Sequence, residues 1–383
     1  MGLLDRAPLY YENSVKWQKT LRKACFELVR LSDTFAGYDF LGDIDTHWHT
    51  FGYCVGMMNE FYELKPGESI ENVRRYNSEA VLLCDLGKTV NYRSGDEVKL
   101  PILISNYAQS IKEANLKITL IMGACKIFEA ELHPTNIECG KITELYLLDL
   151  RLPELENPGE IKISASLTAD GLCAENEWQI YAFPTSRYDA QENENYSVFT
   201  ELTKDELLER LSRGERIVIF GAKPFQYEGT DFQISLAGRT NGHLATVVSD
   251  HPITKTIPHE GFLGRQFQEM LTGARAAVLD SKTVPYSPII EIATSYKNAH
   301  KEALLFEYKV GGGKLLVCGL SLNDENPAAA WLRAEIRRYA ASEEFEPKIS
   351  ITPDELSFII DKEVVRSEKN ENLALNKNDI TAN

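Results

Sequence analysis

Acids, imidazoles and aromatic rings are concentrated in one short stretch, FAGYDFLGDIDTHWHTFGY at 35–53. Carboxylates and imidazoles can bind sugar hydroxyls or a metal ion, and an aromatic face packs against apolar C–H surfaces. The two histidines of HWH stand two residues apart, and that spacing can hold zinc or iron together with an upstream carboxylate. We predict contacts to a sugar or polyol rather than a metal, and a purely structural loop is the remaining alternative. The candidate substrate-binding residues are Asp43, Asp45, His47, Trp48 and His49.

The elements around this loop are predicted to be helix, strand and helix. An apolar run at 35–41 predicts a short strand ending at the loop, where binding residues are often found. Residues 67–86 predict a second helix with Ser69 as its N-cap. The first helix is predicted over 12–30 from an apolar face at spacings of three and four. That face comprises Val15, Trp17, Leu21, Ala24, Cys25, Leu28 and Val29, and the polar face comprises Lys16, Lys19, Arg22, Lys23 and Glu27.

From residue 89 the pattern changes to short β-rich runs separated by Gly, Pro, Asn and Asp turns. Residues 162–167 alternate strictly, with Ile163, Ala165 and Leu167 predicted to face inward. Roughly seven strands before residue 186 are typical of an immunoglobulin-like β-sandwich.

Helical and strand patterns mix again after a polar linker at 187–199. TKDE at 203–206 is a capping box that predicts a helix at 204–212, and RIVIFG at 216–221 predicts a buried strand. Two further strands meet at the triglycine 311–313, and a helix is predicted at 327–341. This order indicates an α/β domain.

Composition excludes several classes of function. The chain has 383 residues, 57 acidic against 41 basic, and a net charge of −16, which disfavours nucleic acid and anionic membranes as partners. Seven cysteines occur singly with no CxxC pair, so a zinc ribbon or disulfide framework is not predicted. The sequence shows neither a long apolar span nor a signal-peptide pattern, and no compartment is assigned.

Three motifs that suggest catalysis are better explained by structure. Cys318 lies inside a predicted buried strand rather than in a nucleophile elbow. The triglycine at 311–313 joins two strands and lacks the Lys-Ser or Lys-Thr of a phosphate-binding loop. Asn59 and Glu60 form an Asn-Glu pair like that of many retaining glycosidases, but they lie well beyond the predicted strand, so a solvated glutamate is predicted.

Three stretches together resemble glycoside hydrolase family 2, the β-galactosidase and β-glucuronidase group, especially its polysaccharide-degrading members from gut bacteria. AGYDFLGDID and GYCVGMMNEFYELKPG, at 36–45 and 52–67, resemble the last strand, loop and helix start of that family's (β/α)8 barrel. The β-rich region lies where the family places an immunoglobulin-like domain. VVSDHPITKTIPHEGFLGRQFQEMLTGARAAVLD, at 247–280, and the strands and helix after it resemble the family's C-terminal flavodoxin-like or glutamine-amidotransferase-like domain.

The resemblance implies a multidomain chain of α/β plus all-β class. Its parts would be a partial (β/α)8-barrel segment at 1–86, an immunoglobulin-like β-sandwich at 87–186, a flavodoxin-like α/β domain at 187–343 and a tail at 344–383 that is disordered or begins a missing domain. In the family, the acid/base glutamate follows the fourth barrel strand and the nucleophile follows the seventh. This chain is expected to begin after both, so it contributes no catalytic residue and is predicted to be inactive alone.

The implied ligand is a β-linked glycoside held by the loop at 43–49, with no cofactor and no metal. A homo-oligomer or a complementing barrel chain is the expected protein partner. The alternative function is a non-catalytic carbohydrate-binding or oligomerisation module. Full-length members of this family are often exported by bacteria.

Overall fold

A long helix, α1 (Ala7–Leu31), opens the chain and contacts both larger parts of the molecule. The computed structural model describes residues 2–35, 37–40, 42–45, 56–185, 195–230, 245–295 and 299–364. α1 includes the predicted helix at 12–30, and its N-terminal proline suits a first turn. Val15 and Trp17 are buried as predicted, but Leu28 is exposed and Glu27 of the polar face is buried. The polar side of α1 therefore packs against the protein too.

Two predictions near the loop are wrong. Residues 35 and 37–40 form no strand. The helix predicted at 67–86 is only α2 (Ile70–Arg74), capped as predicted by Ser69, whose hydroxyl accepts from the Asn72 N–H at 3.1 Å. Ala80–Cys84 is instead strand β1, buried along its whole length. A short apolar run that is buried on all sides has no periodicity that distinguishes a strand from a helix. Its secondary structure is decided by pairing with a distant strand.

Two sheets that share one core form a β-sandwich. One sheet has the order β1-β3-β8 and the other β2-β10-β9-β5-β6. Ile163, Ala165 and Leu167 are buried as the alternation predicts. Leu116–Leu132 and Leu116–Leu167 are cross-strand pairs that fix the register of the second sheet. The strands after β1 are β2 (Asn91–Arg93), β3 (Glu97–Asn106), β4 (Ile111–Glu113), β5 (Asn115–Met122), β6 (Cys125–Leu132), β7 (Thr135–Ile137), β8 (Lys141–Arg151), β9 (Gly159–Ala169) and β10 (Leu172–Phe183).

A mixed nine-stranded sheet organises the rest of the chain. Its helices are α3 (Lys204–Ser212), α4 (Gln268–Leu271) and α5 (Pro327–Ala341), and the predicted bounds of α3 and α5 and the capping box of α3 are confirmed. The strands are β11 (Ser197–Phe199), β12 (Arg216–Phe220), β13 (Tyr227–Gly229), β14 (Ala245–Val248), β15 (Arg275–Val278), β16 (Ile290–Ala293), β17 (Glu302–Val310) and β18 (Gly313–Cys318). β17 and β18 form the predicted hairpin at the triglycine.

Two further elements follow residue 344, in the region predicted to be a tail. β19 (Ser350–Ile351) pairs with β17, and α6 (Pro353–Asp361) lies beside α3. Thr352 and Glu355 form a second capping box, and Lys204 of α3 pairs with Asp361 at 2.7 Å. The described structure is thus a β-sandwich followed by a mixed-sheet α/β part, with few helices.

Direct contacts hold α1, the sandwich and the mixed-sheet part together. The Asn13 amide of α1 donates to the carbonyls of Thr246 at 2.8 Å and Gly261 at 3.1 Å. Asn91 of β2 donates to the Gln266 carbonyl at 2.9 Å. Each bond is made by a buried amide and contributes about 0.5–1.5 kcal/mol net to holding the parts together.

Candidate functional site

A cleft of about 290 Å³ lies where α1, the sandwich and the segment before α4 meet. Junctions between structural units are common places for ligand sites, and this volume is near the lower end of about 300–1,000 Å³ for small-molecule pockets. The residues that line the cleft include Lys19, Lys23, Glu27, Arg75, Glu160, Lys162, Glu177, Trp178, Arg265 and Gln266.

The α1 wall of the cleft is a stripe of polar residues one helical turn apart. Lys16, Lys19, Lys23 and Glu27 follow each other at spacings of three and four, which places them on one side of the helix. Glu27 accepts bonds from the Asn176 amide at 2.7 Å and the Trp178 indole N–H at 3.1 Å. It also pairs with Lys23. All three contacts are made by Oε1 of Glu27, and the two from the sandwich join α1 to it.

Lys23 is confined between this carboxylate and an aromatic ring. Its Nζ lies 5.2 Å from the centroid of the Trp178 ring, in cation–π contact. Burial lowers the pKa of Lys23, and the neighbouring Glu27 offsets part of that effect. The cation is thus held in place by protein groups before any ligand arrives.

The sandwich wall carries a second group of ions. Glu177 of β10 pairs with Arg75 at 2.8 Å and with Lys162 of β9 at 2.6 Å. Burial would raise the pKa of Glu177, but these two cations outweigh burial and lower it. Glu160 has a raised pKa because of burial and the nearby Glu260 charge.

The two carboxylates with opposite pKa shifts stand on one face of the sandwich sheet. Ser164 is paired with Glu177, and Glu160 is paired with Tyr181. Four residues therefore separate the backbone positions of Glu160 and Glu177 along the strands, or ~13 Å at ~3.3 Å per residue. Lys162 lies between them and binds Glu177 at 2.6 Å. Glu177 is thus held as an ion-paired carboxylate.

Arg265 is the cation of the cleft with the fewest protein partners. Within the part of the chain that the structure describes, its guanidinium makes no ion pair and no side-chain hydrogen bond. Burial lowers its pKa, and Glu27 at longer range offsets only part of that effect. A half-buried guanidinium that lacks an ion-pair partner favours a bound anion, and its planar fork matches a carboxylate.

Gln266, next to Arg265 in the chain, has a buried acceptor. Its amide nitrogen donates to the Pro258 carbonyl at 2.6 Å, while its amide oxygen is inaccessible to solvent and has no partner among the described residues. A buried acceptor without a donor costs about 1–3 kcal/mol. Gln266 is therefore a buried part of the cleft wall, and Arg265 is the cation of the cleft that a ligand could engage.

Asp43 and Asp45 of the predicted sugar-binding loop lie at its base. The Asp45 carboxylate is buried, accepts from the Gly56 N–H at 2.8 Å and pairs with Lys65 at 2.9 Å. The Asp43 carbonyl accepts from the Met58 N–H at 3.0 Å. Gly56 is required there, because a Cβ would stand 2.5 Å from the Asp45 nitrogen. His47, Trp48 and His49 lie outside the described residues, so contacts of the loop with a sugar stay a prediction.

The other motifs have structural roles in the described region. Asn59 closes a turn, since its side-chain oxygen accepts from the N–H groups of Phe61 at 2.9 Å and Glu63 at 3.0 Å. Cys318 is buried, and burial raises the pKa of its thiol to about 12, which makes a thiolate nucleophile unfavourable. Within the described ranges no three His, Cys, Asp or Glu side chains could hold a metal ion. No helix there is long and apolar enough to cross a membrane.

Sequence reasoning missed Arg265, Trp178 and the role of Glu27 in this cleft. Trp178 occurs in a run already predicted to be a strand, and Arg265 is the first residue of a 3-10 turn, Arg265–Phe267, and belongs to no motif. The one indication in the sequence is the polar stripe of α1. Three lysines at helical spacing usually mark a solvated face, and only the packing of α1 against two other parts turns them inward.

Two family models match parts of the chain. One, Domain of unknown function (DUF8487), matches residues 198–361, and the other, Domain of unknown function (DUF8488), matches residues 96–184. These ranges correspond to the mixed-sheet part and most of the sandwich. No curated protein sequence matches the chain.

Several solved structures are weakly similar. Parabacteroides merdae β-glucuronidase with glycerol in its active site is 12% identical, with a TM-score of 0.22, over 37% of this chain and 21% of that chain. A family 123 glycoside hydrolase from Clostridium perfringens is 14% identical, with a TM-score of 0.20, over 32% of this chain and 27% of that chain. An Arabidopsis thaliana protein is 16% identical, with a TM-score of 0.19, over 30% of this chain and 82% of that chain. This chain spans about a fifth of the β-glucuronidase. TM-scores this low carry no argument about function.

Proposed function

We propose that this chain is a non-catalytic carbohydrate-binding region of a glycoside-degrading protein and that its cleft binds an acidic saccharide. The observation that carries the proposal is Arg265, a half-buried guanidinium that lines the cleft and makes no ion pair among the described residues. A sugar carboxylate would pair with it. A uronic acid supplies such a carboxylate.

The charge of the surroundings supports an anionic ligand. The lining contains six Lys and Arg residues, at 16, 19, 23, 75, 162 and 265, against four glutamates, at 27, 160, 177 and 260. The whole chain, by contrast, carries a net charge of −16. A locally cationic cleft in an acidic protein attracts small anions while the rest of the surface repels polyanions.

The resemblance to glycoside hydrolase family 2 gives the proposal its context. By that resemblance the parent reaction is retaining hydrolysis of a β-linked glycoside, and the described parts are a barrel remnant, an immunoglobulin-like sandwich and a flavodoxin-like domain. The loop with Asp43, Asp45, His47, Trp48 and His49 is proposed as a second sugar contact. Loss of oligosaccharide binding in Trp48→Ala would support it, and unchanged binding would exclude Trp48 from the contact.

Calorimetric titration with glucuronic acid tests the cleft, with glucose as the neutral comparison. We expect saturable binding of glucuronic acid only, and a loss of about tenfold or more in affinity for Arg265→Met, since hydrogen bonds to charged groups contribute about 1.5–3 kcal/mol. Arg213→Met, at an exposed arginine paired with Glu209, is the matched control and should bind normally. Equal affinity for both sugars, or unchanged binding by Arg265→Met, would contradict the proposal.

An assembly function is the alternative, and the distribution of exposed apolar residues favours it. Nine of the fourteen exposed large hydrophobic residues in the described structure lie between residues 4 and 70, including Leu28, Phe61 and Tyr62. Contiguous exposed apolar surface is typical of protein interfaces. A homo-oligomer or a complementing barrel chain would cover it. Assembly would be supported if analytical sedimentation shows a mass that rises with protein concentration, and if Leu28→Glu abolishes this rise but Leu147→Glu does not. A monomer at all concentrations would exclude the homo-oligomer.

A further inference from the structure

A shallow trough of about 210 Å³ lies beside the cleft, on the sandwich sheet that contains β5, β9 and β10. Its floor is formed by the short side chains of Ser164 and Ser166 on the central strand β9. Longer side chains stand on the neighbouring strands, because Lys117 and Glu175 flank Ser166 in register. Thr119 and Glu177 flank Ser164 in the same way. Small residues between larger ones produce a groove along β9.

The trough and the cleft are continuous along the sheet. Arg75 and Glu177 line both of them. The same face of β9 also supplies Lys162 and Glu160 to the cleft, since alternate residues of a strand point to one side. From Glu160 to Ser166 the strand covers ~20 Å at ~3.3 Å per residue. The polar surface is therefore much longer than a single sugar ring.

We propose that the cleft and the trough form one binding surface for an extended acidic oligosaccharide that lies along β9, with its acidic unit in the cleft. This inference rests on the proposed function and adds the length and direction of the ligand. Ser164, Ser166 and Thr119 supply hydroxyls that can both donate and accept hydrogen bonds, as sugar hydroxyls require. Lys117, opposite Ser166, supplies a cation for a further acidic unit.

The ion group at the boundary favours a ligand that crosses it. Glu177 is already bound by Arg75 at 2.8 Å and Lys162 at 2.6 Å, and its side chain is still 37% exposed. A carboxylate has about four acceptor positions, so Glu177 retains capacity for a ligand hydroxyl. The pair of cations fixes its position. The boundary is therefore a preorganised contact point rather than a barrier.

Titration with a series of ligands of increasing length tests the inference. The probes are glucuronic acid and the β-linked di-, tetra- and hexasaccharides that contain glucuronate and are prepared from hyaluronan. For the unmodified chain we expect affinity to rise about tenfold or more from disaccharide to hexasaccharide, since several added hydrogen bonds suffice for this. Ser164→Tyr fills the trough and should abolish the gain with length while leaving the affinity for glucuronic acid unchanged.

Thr168→Tyr is the matched control, because Thr168 is exposed further along β9 and does not line the trough. It should keep the full dependence on length, and far-ultraviolet circular dichroism should show both variants folded. Equal affinity at all lengths, or a length dependence that survives Ser164→Tyr, would overturn the extended site while leaving the cleft proposal intact. No binding of any probe would overturn both proposals. A gain with length that is retained in Arg265→Met would support the trough and remove the cleft.

Discussion

Two lysine–glutamate pairs on α1 provide a sharp test of how the helix is attached. Lys16–Glu12 and Lys23–Glu27 are both spaced i, i+4, but the glutamate side chain is 58% exposed in the first pair and 10% exposed in the second. Glu27 also accepts from Asn176 and Trp178, whereas Glu12 has no other partner in the described structure. The same chemical pair therefore lies on the surface at Glu12 and in an interface at Glu27.

We expect Glu27→Ala to lower the free energy of unfolding by about 3–5 kcal/mol, because it leaves the half-buried Lys23 without its counter-charge and the buried Asn176 and Trp178 donors without their acceptor. Glu12→Ala should cost about 0.5 kcal/mol or less, as is usual for exposed pairs. Glu27→Gln should fall between them, since its amide oxygen can still accept from Asn176 and Trp178 while the charge is lost.

Urea denaturation, monitored by tryptophan fluorescence, gives the free energy of unfolding of all three variants in the same background. Hydrogen exchange of the α1 amides then shows whether the loss is confined to the attachment of the helix. Equal losses for Glu27→Ala and Glu12→Ala would refute the argument that α1 is held through its polar face. A Glu27→Gln variant as unstable as Glu27→Ala would show that the charge, not the hydrogen bonds, dominates.

Four further outcomes follow from particular residues. Burial raises the pKa of Glu302 from 4.5 to about 8, so the folded state favours the protonated acid. The contribution of this group to the free energy of unfolding is therefore fully present below pH 4.5, the pKa in the unfolded chain, and falls as pH rises towards 8. Glu302→Gln cannot ionise and should make this fall in melting temperature between pH 5 and 8 shallower. Asp45→Ala should cost about 1–3 kcal/mol by urea titration, because it leaves the buried Gly56 N–H without its acceptor. Gly56→Ala should also destabilise, by local overpacking of about 1–3 kcal/mol, and should speed proteolysis near residue 56. The chain alone should release no nitrophenol from nitrophenyl β-galactoside or β-glucuronide, and sustained release that persists on repurification would refute the non-catalytic proposal.

Much of the local structure follows from the sequence. The capping box at Thr203 and Glu206 fixed the start of α3, and the pattern at 327–341 gave α5 with the observed bounds. Strict alternation identified the inward residues of β9. These features depend on neighbours within a few residues, which is why composition and spacing are sufficient to predict them.

Other features were decided by contacts between distant residues. Ala80–Cys84 has the composition of a helix or a strand and became β1 because β3 pairs with it along its full length. The burial of Glu27 depends on Asn176 and Trp178, far away in the chain.

The candidate site shows the same division. The sequence by itself determined the polar stripe of α1, the alternating strand β9 and the acids at the base of the loop, because each is a local pattern. Only the tertiary structure brought Arg265 to that stripe and engaged Asp45 with Lys65 and Gly56. A cleft between three parts of a chain depends on how their surfaces pack, and no periodicity within one segment records that packing.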